Sequence, residues 1–114
     1  MRIAVIQGSA RNGGNTEELT RLVLEGLPYT NIILREKEIK PIHDQRHDEG
    51  GFDPVDDDYD ELILQVLEHD ILIFATPVYW YGPSGLMKNF IDRWSQSLRD
   101  VRFNFKERMA AKTA

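Results

Sequence analysis

The chain contains no cysteine among its 114 residues. Disulfides, thiol nucleophiles and thiolate metal sites are thereby excluded, and a cytoplasmic setting is the default expectation. No apolar run approaches the roughly 20 residues needed to cross a bilayer, and the first residues enter a strand pattern without a signal-peptide pattern. A membrane is therefore not an expected partner. Basic excess is missing as well. Fourteen Lys and Arg face 19 Asp and Glu, for a formal net charge of -5. No basic field exists to collect phosphates, so nucleic acid is not an expected general partner either. Internal repeats and low-complexity segments are absent. What remains is an ordinary globular composition of a size that suits one domain, residues 1–114.

Lysine is also missing from the stretch around which the chain is organised, Gly8-Ser9-Ala10-Arg11-Asn12-Gly13-Gly14-Asn15-Thr16. Without GxxxxGK[ST] spacing, a nucleoside-triphosphate P-loop is not expected. The stretch nevertheless has the makings of an anion site. It follows the apolar run Ile3-Ala4-Val5-Ile6 and precedes an amphipathic helix pattern that begins near Glu17. The first N–H groups of a helix have no partner inside it, and the helix dipole adds positive potential there. Gly8, Gly13 and Gly14 let the backbone come close to a ligand. Ser9, Asn15 and Thr16 offer side-chain hydrogen bonds, and Arg11 a charge-assisted one. The plainer reading is a strand–helix connector built from turn residues.

Along the chain, Arg2 to Gln7 suits a central parallel strand. The following helix carries Leu19, Leu22, Val23 and Leu27 as its apolar stripe, and Gly26 and Pro28 end it. Asn31 to Leu34 forms a second strand. Residues 35–58 are irregular, and Asp44 to Asp58 is strongly acidic. They hold His43 and His47 near Asp44, Asp48 and Glu49, which reads as a solvated loop rather than a metal site. Asp57 and Asp58 cap a second helix, with Glu61 in a capping-box position and Leu62, Ile63, Val66 and Leu67 inward. His69 suits a helix C-terminal cation. Ile71-Leu72-Ile73-Phe74-Ala75 is the strongest buried-strand signal. Pro83 and Ser84 open a third helix whose inner face is Leu86, Phe90, Ile91 and Trp94, with Met87 beside it. The β-α-β-α-β-α pattern predicts an α/β fold: a doubly wound parallel sheet with helices on both faces.

In such a sheet of order 2-1-3, the first and third strands are neighbours. Their carboxyl ends form the switch point where these folds bind ligands. One loop there carries the anion contacts. The other, Thr76-Pro77-Val78-Tyr79-Trp80-Tyr81-Gly82, carries three consecutive aromatic rings, which no helix or strand period would bury together. A ligand with a phosphate at one end and a flat ring system at the other fits both.

These two segments, the second continued through Pro83-Ser84-Gly85-Leu86-Met87-Lys88-Asn89-Phe90-Ile91-Asp92-Arg93-Trp94, resemble the NADPH-dependent FMN reductase family of flavodoxin-like folds. The resemblance runs in order from the first strand to the third helix. It implies FMN as cofactor, NADPH or NADH as hydride donor, and a small-molecule electron acceptor such as a quinone or free flavin. It implies that Ser9, Arg11, Asn15 and Thr16 hold the FMN phosphate. Pro77, Val78, Tyr79, Trp80, Tyr81 and Gly82 would line the ring system. The flavin does the redox chemistry, so no catalytic acid or base is assigned. It also implies a homo-oligomer.

Two departures accompany the resemblance. Some relatives carry a cysteine cluster after the second strand, where this chain has Pro41-Ile42-His43-Asp44-Gln45-Arg46-His47, which excludes an iron–sulfur subtype. The family fold has five strands, and the chain stops where a fourth would begin, so strands 4 and 5 are missing. The expectation is a truncated flavoprotein, or one that recruits pairing from another copy, with Ile71 to Ala75 as an open edge. The competing readings are an FMN electron carrier without nicotinamide activity and a non-catalytic remnant.

Overall fold

The computed structural model describes residues 1–11 and 13–113; Asn12 of the glycine loop and Ala114 lie outside them. Three strands, β1 (Ile3–Gln7), β2 (Thr30–Ile33) and β3 (Ile71–Ala75), form one parallel sheet in the order β2-β1-β3. The helices are α1 (Asn15–Val23), α2 (Tyr59–Leu67), α3 (Gly85–Asp92), α4 (Trp94–Leu98) and α5 (Phe105–Ala110), with a 3-10 turn at Leu34–Glu36. The second strand thus starts and ends one residue earlier than its apolar run predicts, and Leu34 is buried in the turn that follows. α1 begins at Asn15, two residues before the amphipathic pattern becomes evident.

Alternation along β1 sorts the core into two unequal parts. Ala4 and Ile6 join Ile32, Leu72, Leu62, Ile63, Val66, Met87, Phe90 and Phe105 in the larger cluster, covered by α2, α3 and α5. Val5 points the other way, to a small cluster with Leu24, Ala75, Tyr29 and Ile73. α1 covers that face. The stripe expected to be its inner face is not buried: Leu19, Leu22, Val23 and Leu27 are each more than half exposed, and Thr20 and Leu24 are buried instead. The reason is cover. Among the described residues no second helix lies beside α1, so only side chains directly over the sheet are enclosed. Leu19 and Val23 border an open cleft of about 340 Å³ against Ile73 and Ala75.

β3 is an edge strand. Its residues are only partly buried except Leu72 and Ala75. A single bridge, Ile71 to Thr113, pairs its outer edge among the described residues, with Leu72 N–H donating to the Thr113 carbonyl at 2.7 Å. Lys112 beside it donates through Nζ to the carbonyls of Leu67 and His69, a cation at the carboxyl end of α2. His69 serves the same end, meeting a carbonyl of the last turn of α2. It is buried, with Nδ1 on the Gln65 carbonyl at 2.8 Å and Nε2 on Thr30 Oγ1 at 2.9 Å. It therefore joins α2 to β2.

The expected capping box at α2 does not form; the Asp58 side chain makes no cap hydrogen bond. Asp57 caps the first helical N–H with one oxygen, while long-range partners take its other oxygen and the Asp58 carboxylate. Asp58 accepts from Glu38 N–H at 2.7 Å, while Asp57 accepts from Lys40 N–H at 2.9 Å and from Tyr59 N–H at 3.0 Å. Asp57 also meets Arg93 Nη1 at 2.6 Å, with both side chains only 1% exposed. Arg93 donates further to the Lys40 carbonyl and to Gln96, and its guanidinium lies 4.5 Å over the Tyr59 ring. This node ties the start of the irregular stretch to α2 and α3. His43 and His47 lie exposed beyond it. Burial pushes the Asp57 carboxyl up, but the Arg93 guanidinium and the two backbone N–H groups outweigh it and hold the pKa below its ordinary value.

Removing one partner of such a pair leaves the other charge buried and unpaired. Arg93→Met is expected to cost about 3–5 kcal/mol in urea unfolding at pH 7. The sign with pH follows from the depressed carboxyl. Its contribution is complete above the unfolded carboxylate pKa of about 4 and is lost as pH falls through the folded value. The stability gap between the native chain and Asp57→Asn should therefore shrink on going from pH 7 toward pH 3.

Candidate functional site

The register of the sheet brings the carboxyl ends of β1 and β3 side by side, Gln7 against Ala75. Gly8 N–H continues the ladder, donating to the Ala75 carbonyl at 2.7 Å. A Cβ on Gly8 would lie 2.9 Å from Ser84 Oγ, 3.1 Å from Met87 Cβ and 3.1 Å from Thr76 Oγ1. Those neighbours are themselves connected. Thr76 Oγ1 accepts from Ser84 N–H at 3.0 Å, and Ser84 Oγ caps α3 by accepting from Met87 N–H at 3.1 Å. The glycine loop and the aromatic loop thus leave the sheet in contact, from strands that the order 2-1-3 sets side by side.

In the glycine loop, Ser9 is buried and its Oγ closes a tight turn with Arg11, accepting from the N–H at 3.1 Å and donating to the carbonyl at 3.2 Å. Gly13 has φ of 68°, a left-handed conformation that glycine adopts freely. Gly14 is the N-cap of α1 and supplies no side-chain hydrogen bond. The N-cap residue itself therefore offers no side-chain acceptor to the amino end of the helix. Arg11 and Asn15 are exposed and Thr16 is half-buried around that end. The structure brings these four side chains, Ser9, Arg11, Asn15 and Thr16, to one loop and one helix terminus.

Two residues at this loop escape sequence reasoning. Glu17 Oε2 accepts from Gly13 N–H at 2.9 Å, and Glu17 Oε1 accepts from Arg35 Nη1 at 2.7 Å. The hydrogen bond from Arg35, then that from Gly13, hold the Glu17 carboxyl below its ordinary pKa. The four-residue spacing of Gly13 and Glu17 is a local cue. Arg35 has none, because it arrives from the turn after β2.

The aromatic loop ends in a two-residue hairpin. Tyr79 and Gly82 exchange both backbone hydrogen bonds, at 2.9 and 3.0 Å. Trp80 and Tyr81 occupy the centre with φ of 51° and 65°, where asparagine and glycine are usual. Trp80 is 96% and Tyr81 100% exposed, and Val78 and Tyr79 are exposed too. Pro77 and Gly82 are half-buried. None of the three rings turns into the core. The open cleft beside α1 reaches both loops, with Asn15 and Thr16 on one wall and Thr76 on the other.

The family model for NADPH-dependent FMN reductases matches residues 1–114. The chain belongs to the NADPH-dependent FMN reductase family. It is 54% identical over its whole length to the Bacillus subtilis protein YwqN, provisionally named an NAD(P)H-dependent FMN-containing oxidoreductase, and spans 64% of it. It is 35% identical to the iron–sulfur flavoprotein MJ1083 of Methanocaldococcus jannaschii, again over the whole chain and 61% of that protein. A solved structure of the Trp repressor binding protein from Bacillus subtilis superposes with a TM-score of 0.74 at 49% identity, over 97% of this chain and 62% of that one. The chain thus spans less than two-thirds of these relatives, and its fold is flavodoxin-like. With no cysteine it has no thiolates for an iron–sulfur cluster. Among the described residues no helix is long and apolar enough to cross a membrane.

The contact between the two loops depends on the bare Gly8. Gly8→Ala should push Ser84 or Thr76 out of place and cost about 1–3 kcal/mol in urea unfolding. The equivalent change at Gly85, where an added Cβ meets no atom within 4 Å, should cost much less.

Proposed function

We propose that this chain binds FMN and serves in an NAD(P)H-dependent oxidoreductase, handing reducing equivalents from NAD(P)H through flavin to a small acceptor such as a quinone or free flavin. The observation that carries the reading is the meeting at Gly8 of a helix-terminus anion loop and a loop of exposed aromatic rings. The residues fit the cofactor. α1 presents an amino end whose N-cap, Gly14, has no side chain to close it, and Arg11 brings positive charge beside it. Ser9 shapes the loop, and Asn15 and Thr16 offer polar groups to a phosphate. Pro77, Val78, Tyr79, Trp80, Tyr81 and Gly82 would border the flat ring system.

Bound FMN would supply hydride acceptance and electron release; the protein binds it, orients it and sets its surroundings. No side chain is assigned as acid or base. The exposure of Trp80 and Tyr81 supports a second subunit or the nicotinamide as their covering surface, in keeping with a homo-oligomer. A cytoplasmic setting accords with a cysteine-free acidic chain.

Titration of the purified chain with FMN, followed by flavin fluorescence, tests the reading. Saturable quenching and subsequent bleaching by NADPH without oxygen are expected. Binding without bleaching would leave an electron carrier, and no binding would remove the flavin assignment for this chain. The hairpin gives an independent check. Replacing Trp80 and Tyr81 by Asn and Gly should raise stability by about 1 kcal/mol, by relieving the left-handed backbone. The same double variant should weaken flavin quenching.

A further inference from the structure

Glu17 and Arg35 form a pair beside the residues assigned to the phosphate. Glu17 lies in the first turn of α1 and Arg35 in the turn after β2. The carboxylate gives one oxygen to each neighbour, Oε2 to Gly13 N–H at 2.9 Å and Oε1 to Arg35 Nη1 at 2.7 Å. Arg35 Nη1 also lies 3.4 Å from the Arg11 carbonyl. The loop is therefore held at residues 11 and 13 by a pair rooted in a helix and in the turn beyond β2. Both side chains are less than one-fifth exposed, 17% for Glu17 and 18% for Arg35. Shielding and backbone contacts set this pair apart from a surface ion pair, which contributes little.

Two effects oppose each other at this carboxylate. A negative charge near an anion site repels the anion. A loop carrying Gly8, Gly13 and Gly14 must also be ordered when a ligand arrives, and ordering it beforehand removes that cost. Arg35 counters the repulsion by neutralising the carboxylate. The ordering effect is left to dominate.

We propose that Glu17 and Arg35 are a positioning pair that pre-shapes the loop for the phosphate and so sets a preference for FMN over riboflavin. The proposal rests on the FMN reading above. Its test is titration of the whole chain with FMN and with riboflavin, for the native sequence, Glu17→Gln, Arg35→Gln and the double variant. Each single change should weaken FMN about five- to tenfold and leave riboflavin within about twofold. The double variant should be no weaker than either single one, since the two side chains act as a unit. Tighter or unchanged FMN binding by Glu17→Gln would overturn the proposal, because repulsion would then outweigh ordering. Equal loss of both ligands would overturn it too, by showing a general structural role. A native chain that binds FMN no better than riboflavin would instead remove the phosphate reading on which the pair depends. Retained preference in every variant would remove the pair alone.

Discussion

A missing side chain sets the geometry on which the candidate site depends. Where β1 ends, Gly8 passes so close to Thr76, Ser84 and Met87 that no Cβ fits without displacing a neighbour. The contact is reinforced by the bond from Gly8 to Ala75 and by the Ser84 cap of α3. Two loops separated by some sixty residues in sequence are thereby fixed to one crevice. The sheet order puts their strands side by side, but the bare glycine lets the loops themselves touch.

The two faces of the sheet are held in different ways. Behind β1, the larger face combines a broad apolar cluster with the buried Arg93–Asp57 node. Edge-to-face and tilted contacts among Phe74, Phe90, Trp94 and Phe105, with ring centroids about 6 Å apart, add to it. The other face has one helix and a small cluster. The irregular stretch after β2 gains its order from the first face, through Asn89 on the Ile39 carbonyl and Arg93 on that of Lys40. The candidate site lies across the boundary between them, with α3 anchored on the well-packed side and the cleft open beside α1.

Much of this was legible from local pattern. Ile3-Ala4-Val5-Ile6 and Ile71 to Ala75 announce parallel strands, and Ser84 announces the helix it caps. The parallel order follows from alternation of element types. What local pattern could not show was competition for the same groups. Asp57 and Asp58 are good helix caps by type, and one Asp57 oxygen does take Tyr59 N–H, yet segment 38–40 and Arg93 claim its other oxygen and the Asp58 carboxylate. His69 meets the Gln65 carbonyl in the last turn of α2, as its position suggests, but its second partner, Thr30, comes from another strand and has no local signal. The apolar stripe of α1 predicts a helix correctly. It predicts burial wrongly, because burial depends on what lies opposite, and beyond Ile73 and Ala75 little does. At the site, residue types identified the loops. The Glu17–Arg35 pair needed three dimensions.

The aromatic hairpin remains the place where local preference and structure disagree most. Two residues with bulky side chains hold left-handed backbone at adjacent positions, each at a cost of order 1–3 kcal/mol. Neither ring recovers that cost by burial, since both are almost fully exposed. The hairpin's two backbone bonds are worth only about 1 kcal/mol each. The turn is therefore sustained from outside itself, by the Gly8–Thr76–Ser84 contact at its base and the capped helix that follows. A hydrogen-bonded base holding strained, exposed rings near the amino end of α1 is costly for a connector. That cost is the reason the proposed flavin site places the flat ring against this hairpin.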